Sequence, residues 1–133
     1  MKRIAALGLM FCFLTNAAMA ESASQAFKYA AYTGRMICDN KVLVTVTENK
    51  KQANHFDIAF GKLHYQTIRV ATESGAIRME DQKRGIVWLQ MSNKSMLLDE
   101  KQGRRLANNC RNDAQVAAEK ALEITPDTIL SKP

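Results

Sequence analysis

The side chains that could carry out catalysis are few, and their spacing does not match a standard catalytic arrangement. His55 and His64 are the two imidazoles, and Ser74 is a serine that such a base could activate. The sequence lacks the GxSxG turn that exposes a serine nucleophile. Both histidines fall in predicted strands. We expect His64 to be a half-buried strand residue rather than a catalytic base. The adjacent carboxylates Glu80 and Asp81 fall at a predicted turn, as solvated charge. We therefore predict that the protein is not an enzyme.

The sequence indicates no cofactor, no metal site and no nucleic-acid interface. It contains no glycine-rich phosphate loop and no spacing of Cys, His and carboxylates that is typical of a metal centre. The formal net charge is +6, but the basic residues are scattered and aromatic residues make up only 7% of the chain. A nucleic-acid interface would need basic residues clustered on one face. We expect neither a cofactor nor a nucleic-acid partner.

A Ser-Gly pair follows a strand-like segment near the middle of the chain, in the stretch ATESGAIRMED at residues 71–81. Ser74 offers a hydroxyl group, and Gly75 permits a positive φ and a close approach of the backbone to another surface. Taken alone, the pair is typical of a turn between strands. A loop with these two residues would also suit a narrow cleft, so a functional loop is the alternative.

The first 20 residues have the pattern of a signal peptide. Lys2 and Arg3 precede a short apolar run, and an A-x-A cleavage pattern ends at Ala20. The apolar run is too short to span a membrane comfortably. A lipoprotein signal is the alternative because Cys12 lies in this region, but Phe11 stands before it, where such a signal needs a small residue. We predict cleavage after Ala20 and a periplasmic or secreted protein with no membrane span.

Two cysteines, Cys38 and Cys110, remain after this cleavage. An even pair in an oxidising compartment indicates one disulfide, which would join the start of the domain to its end. Metal-binding or catalytic thiols are the alternative, although the sequence has no CxxC motif. We predict a structural disulfide between the two residues.

Residues 35–111 show the alternation of an antiparallel sheet, after a lead-in segment at 21–34. Strand-like runs recur about every eight to twelve residues, with turn residues between them. The clearest runs are residues 41–48, 55–60, 63–72, 85–91 and 95–99. This pattern predicts one small barrel or sandwich, with Trp88 in its core.

Residues 112–133 are predicted to form a C-terminal helix and a tail. Asn112 and Gln115 resemble a capping box, and Pro126 ends the helix. A weak apolar stripe is formed by Val116, Ala117, Ala121 and Ile124. The sequence leaves open whether this helix docks on the barrel.

In these features the chain resembles the bacterial inhibitors of c-type lysozyme, a family with a membrane-anchored and a periplasmic branch. The resemblance covers residues 32–110 and depends on the order and spacing of several elements. These are Tyr32 to Cys38, the Val-rich strand 42–46, the hairpin 56–70, Ser74-Gly75-Ala76, Trp88 and the NNC of residues 108–110. The resemblance implies an eight-stranded antiparallel barrel with one disulfide. We therefore expect an all-β fold, a small antiparallel β-barrel of about eight strands, followed by the C-terminal helix.

The resemblance also implies a mechanism and a partner, a c-type lysozyme. In the family, the loop with the Ser-Gly motif enters the lysozyme cleft and the serine hydroxyl hydrogen-bonds the catalytic carboxylates. A lysine two residues after the tryptophan adds a positive charge there. Lysozyme works with one protonated and one ionised carboxyl group, so a hydroxyl and a cation can satisfy both. Carried over to this chain, the serine is Ser74 and the glycine is Gly75.

Two positions depart from the family pattern. Arg78 stands where the family has a tyrosine, and Gln90 stands where it has the lysine. Arg78, Lys83 or Lys94 is expected to supply a substitute cation. The predicted lysozyme-binding residues are Ser74, Gly75, Arg78, Gln90 and Lys94. The alternative is an envelope-associated or adhesin-like binding module on the same barrel, without lysozyme inhibition.

Overall fold

The computed structural model describes residues 27–123. The predicted signal peptide at 1–20 and the first part of the lead-in segment lie outside the described residues. The end of the predicted helix and the tail, with Ile124 and Pro126, also lie outside them.

Eight strands form one antiparallel sheet in which every strand pairs with the next one along the chain. They are β1 (Gly34–Ile37), β2 (Leu43–Glu48), β3 (His55–Phe60), β4 (Leu63–Val70), β5 (Ile77–Asp81), β6 (Ile86–Gln90), β7 (Ser95–Asp99) and β8 (Arg104–Cys110). One helix, α1 (Asp113–Glu123), follows the last strand. The sheet curls into a nearly closed barrel, which confirms the predicted all-β barrel with a C-terminal helix.

The barrel interior is filled by the inward-facing residues of successive strands. In β2, Val44 and Val46 are buried and the residues between them are exposed, as expected for a strand with one face on the core. Trp88 has no exposed surface, which confirms its predicted place in the core. The other fully buried apolar side chains include Met36, Ile58, Met79 and Leu97.

The first and last strands close the barrel through one backbone pair and one covalent bond. The N–H groups of Ile37 and Arg111 each donate to the other residue's carbonyl, both at 3.0 Å. Directly beside this pair, Cys38 and Cys110 form the predicted disulfide, across 72 residues of sequence. The disulfide therefore strengthens the seam between β1 and β8, where the isolated backbone bridge within residues 27–123 joins Ile37 to Arg111, the residue after β8.

In an up-and-down barrel, every second connection between strands lies at the same end of the barrel. The connections at residues 49–54, 71–76 and 91–94 therefore share one end, which we call the Ser74 rim. The turns at 82–85 and 100–103 share the opposite end, where the Glu100 N–H donates to the Gly85 carbonyl at 2.8 Å.

Helix α1 begins with the predicted capping box. The Gln115 N–H donates to Asn112 Oδ1 at 2.9 Å, and the Asn112 N–H donates to Gln115 Oε1 at 3.3 Å. The helix docks mainly through Gln115, whose buried Nε2 donates to the Met91 carbonyl at 3.1 Å and to Ser95 Oγ at 2.9 Å. Within residues 27–123, no helix is long and apolar enough to cross a membrane.

The predicted apolar stripe of α1 contributes little burial. Val116 is half-buried, whereas Ala117 and Ala121 are exposed. An ion pair between Arg111 and Glu119 adds a second polar attachment of the helix to the end of the barrel. Polar side chains, rather than an apolar face, therefore fix the helix in place.

Candidate functional site

The loop that connects β4 to β5 presents Ser74 and Gly75 to solvent in a defined turn. The Ala76 N–H donates to Ser74 Oγ at 3.3 Å, and the Thr72 hydroxyl donates to the Ala76 carbonyl at 2.5 Å. Gly75 has φ +80°, and apart from its two chain neighbours no atom of residues 27–123 lies within 4 Å of the position that a Cβ would occupy. A glycine is therefore favoured there by backbone conformation and not by lack of space.

The Ser74 hydroxyl keeps its donor function and one acceptor function unused by residues 27–123. Its oxygen accepts the Ala76 N–H, but its hydrogen has no acceptor among residues 27–123. A serine hydroxyl donates one bond and accepts two. Ser74 can therefore donate to an acceptor on a partner while its own loop holds it in position.

A groove of about 190 Å³ lies beside this loop on the Ser74 rim. Its walls come from the loop at Gly75, from the end of β6 at Met91, and from the lead-in segment at Tyr29 and Tyr32. Tyr29 is 55% exposed. The lead-in segment thus forms part of the surface that a partner of the Ser74 loop would meet.

Gln90 lies beneath this surface and holds the lead-in segment. Its Oε1 accepts the Tyr32 N–H at 3.0 Å, and its Nε2 donates to the Tyr32 carbonyl at 2.7 Å. The side chain is only 1% exposed. Gln90 borders the groove but is almost fully buried, so its main role in this conformation is to position Tyr32.

Arg78 faces the outer surface of β5 and is neutralised there by two carboxylates. Its Nε donates to Glu80 at 2.5 Å, and its Nη2 donates to Glu100 at 2.8 Å. Hydrogen bonding to Glu80, and then to Glu100, raises the pKa of Arg78. Hydrogen bonding from Arg78 lowers the pKa of Glu80. Because Glu100 belongs to the turn at the opposite end, the guanidinium points away from the Ser74 rim.

Arg78→Met should lower the free energy of unfolding at neutral pH by about 1 kcal/mol, the scale of a partly exposed ion-pair network. Methionine keeps an apolar stem on β5 but removes the charge. A carboxylate whose pKa is depressed in the folded state contributes stability above its unfolded pKa and loses it as the pH falls through the folded value. The difference between Arg78→Met and wild type should therefore shrink as the pH falls below about 4.

Urea denaturation at neutral and acidic pH checks this expectation. Arg35→Met, which removes an exposed arginine on β1, is the matched control and should change stability little at either pH. An Arg78→Met effect of equal size at both pH values would show that Arg78 stabilises the barrel through packing and not through Glu80.

The two lysines considered as substitute cations lie at opposite ends of the barrel. Lys94 is in the turn at 91–94, where its carbonyl accepts the Met91 N–H at 2.8 Å. Its ammonium group has no ion pair among the described residues. Lys83 is in the turn between β5 and β6, and its carbonyl accepts a hydrogen bond from Lys101. Of these two lysines, Lys94 shares the rim with Ser74.

Arg69 is a further cation on the Ser74 rim, and the sequence reasoning did not include it. It lies near the end of β4, and its guanidinium carbon stands 4.1 Å from the centre of the Phe27 ring. The signal that could have found it is strand alternation: Tyr65 and Thr67 face the interior, so Arg69 lies on the same face, at the mouth of the barrel. A charged residue at that position is unusual unless it borders an opening.

The histidines do not form a catalytic arrangement in the structure. His64 is exposed on the outer face of β4, so the prediction that it is half-buried is wrong, because no layer formed by residues 27–123 covers that face of the strand. His55 is half-buried, with Nδ1 2.8 Å from the Ala53 carbonyl. Across residues 27–123, no three His, Cys, Asp or Glu side chains come together as a metal site would require.

No protein-family model, no curated protein and no solved structure matches this chain. Two of the predicted site residues, Ser74 and Gly75, are together in the exposed loop, and Lys94 belongs to another connection on the same rim.

Proposed function

We propose that this protein is a periplasmic inhibitor of c-type lysozyme that places its Ser74 loop in the active-site cleft. The observation that carries the proposal is the exposed Ser74-Gly75 turn, fixed by its own hydrogen bonds and with a hydroxyl hydrogen that no described residue accepts. The predicted signal peptide and the Cys38–Cys110 disulfide support an oxidising compartment outside the cytoplasm.

The chemistry of the target suits such a loop. The lysozyme cleft contains one protonated and one ionised carboxyl group. Ser74 can donate to the ionised group and accept from the protonated one, because a hydroxyl combines both functions. The open space around Gly75 lets the backbone approach the walls of a narrow cleft. A loop that is ordered before binding loses less conformational entropy when it binds.

A stable complex needs more surface than one loop provides. A standard protein interface buries about 800 Å² on each partner. The Ser74 rim can add Tyr29, whose ring is largely exposed, and the turn that carries Lys94. In this proposal, Ser74 meets the carboxyl groups and these flanking residues contact the walls of the cleft.

Ser74→Ala should weaken inhibition of a c-type lysozyme by about 10- to 100-fold, since a hydrogen bond to a charged group contributes about 1.5–3 kcal/mol. The measurement is the inhibition constant in a cell-wall lysis assay. Thr45→Ala is the matched control, because it removes an exposed hydroxyl from the outer face of β2. Equal losses for the two variants, or none for either, would contradict a role for the Ser74 hydroxyl.

A second candidate is an envelope-associated or adhesin-like binding module on the same barrel, without lysozyme inhibition. The observation that favours it concerns the two residues that differ from the lysozyme-inhibitor pattern. Gln90 is buried, and Arg78 is paired with two carboxylates. Neither residue offers a free cation next to Ser74. Capture from envelope extracts separates the candidates, because a binding module should retain an envelope component and leave added c-type lysozyme unbound.

A further inference from the structure

Arg69 carries a positive charge that no described residue neutralises. Its guanidinium forms no ion pair within residues 27–123. Its Nε is buried and has no hydrogen-bond acceptor in the described part of the chain. Buried polar groups in folded proteins are nearly always hydrogen-bonded, so an exception calls for a specific explanation.

Arg78 provides an internal comparison for this arginine. Arg78 has two carboxylate partners, and its pKa is raised by them. Burial lowers the pKa of Arg69, with no carboxylate to offset the loss of solvation. Among residues 27–123, Arg78 therefore has two carboxylate partners and Arg69 forms no ion pair.

The Arg69 guanidinium is held in a fixed orientation. The Phe27 ring lies 4.1 Å from its central carbon, a distance typical of stacking between an arginine and an aromatic ring. The backbone of Arg69 is also anchored, because its N–H donates to the Asn54 carbonyl at 2.8 Å. Nε is buried, but stacking on one face of the guanidinium does not block its terminal Nη donors, which lie in the plane of the group and can serve a ligand.

A groove of about 280 Å³ adjoins Arg69 on the Ser74 rim. Lys28 and Arg69 are the two cations among its lining residues, and Glu73 is the one carboxylate. Gly75 also lines this groove, so it is continuous with the loop that presents Ser74. Because two cations face one carboxylate, the groove has a net charge of about +1. This charge suits a ligand group with one negative charge better than a ligand group with two negative charges.

We propose that Arg69, assisted by Lys28, forms a carboxylate-binding site in this groove. The planar guanidinium fork matches the two oxygens of a carboxylate and can bind them with two parallel hydrogen bonds. The carboxylate belongs either to an acidic side chain of the protein partner or to a small free molecule. The first assignment rests on the proposed lysozyme function. Arg69, and not Arg78, then supplies the cation next to Ser74.

The first arm of the test uses sodium acetate as the probe on the wild-type protein. The NMR signal of the Arg69 Nε–Hε group should shift with increasing acetate and reach a plateau, and sodium chloride at equal ionic strength should leave it unchanged. The Arg35 signal, from an exposed arginine on β1, is the internal control and should not move. Equal responses of Arg69 and Arg35 would overturn the site, and this result needs no variant to fold.

The second arm identifies the source of the carboxylate. Arg69→Gln should weaken lysozyme inhibition about tenfold or more, the scale of a lost charge-assisted hydrogen bond, whereas Arg35→Gln should leave it unchanged. Retained inhibition by Arg69→Gln would overturn the assignment to lysozyme and leave a free carboxylate as the ligand. If the wild-type protein does not inhibit lysozyme, the proposed function fails, and the acetate titration still decides whether the site exists.

Discussion

Replacing Cys38 and Cys110 by serine should lower the free energy of unfolding by about 4 kcal/mol. The disulfide closes a loop across 72 residues, so it removes much conformational freedom from the unfolded chain. In the folded state it stands beside the one backbone pair, Ile37 with Arg111, that joins β1 to β8. Without the disulfide, the seam keeps that pair and the hydrogen bonds that Asn108 and Asn109 donate to Asp39.

Urea denaturation of the double variant and of the wild type measures this loss. The wild type under reducing conditions is the matched control, because it has the same chain without the cross-link and should unfold near the same urea concentration as the variant. A loss below about 1 kcal/mol, the size of an average point mutation, would mean that the barrel closes without the disulfide.

Gln90→Leu should lower the free energy of unfolding by about 3 kcal/mol, since it leaves two backbone groups of Tyr32 without partners. Leucine has a similar volume, so the effect comes from the lost hydrogen bonds at 3.0 and 2.7 Å and not from a cavity. The amide hydrogen of Tyr32 should then exchange with solvent much faster than in the wild type. Gln90 is thus expected to fix the wall of the groove beside Ser74.

Hydrogen exchange and urea denaturation check this second expectation together. Gln66→Leu is the matched control, because Gln66 is exposed on the outer face of β4 and its loss should change neither measurement greatly. Unchanged protection of the Tyr32 amide in Gln90→Leu would contradict the role of Gln90 as the attachment of the lead-in segment.

Local sequence patterns were sufficient to predict an antiparallel barrel or sandwich and the start of its helix, whereas the eight-stranded barrel was what the resemblance implied. Alternation in residues such as Val44 and Val46 identified the strands, because one face of each strand packs on the core. Asn112 and Gln115 form a capping box within a single turn of chain, so their spacing alone predicts it. The disulfide followed from the number of cysteines and the predicted compartment.

The roles of Gln90, Arg78 and Arg69 could not be predicted from local pattern. Gln90 contacts Tyr32 across 58 residues, and Arg78 contacts Glu100 across 22. Such pairs depend on how the closed barrel brings distant strands and the lead-in segment together. Alternation does place Gln90 on the inner face with Trp88, and Arg69 on the face of Thr67, but it does not identify their partners.

These placements change which residues are expected to meet a lysozyme. Ser74 and Gly75 stay in the proposed contact because they are exposed in an ordered loop. The proposed substitute cation is Arg69 on the Ser74 rim, because Arg78 points to carboxylates near the opposite end. The proposed inhibitor thus keeps the hydroxyl of the family pattern and takes its positive charge from another strand.

The most direct test of the central claim is the dissociation constant of the wild-type protein for a c-type lysozyme. Calorimetry measures it with and without a saturating chitin trisaccharide in the lysozyme cleft. Insertion of the Ser74 loop predicts low-micromolar or tighter binding that the sugar weakens strongly, because the loop and the sugar compete for the same cleft. Absence of binding, or binding that the sugar leaves unchanged, would contradict the proposal that the Ser74 loop inhibits lysozyme by entering its active site.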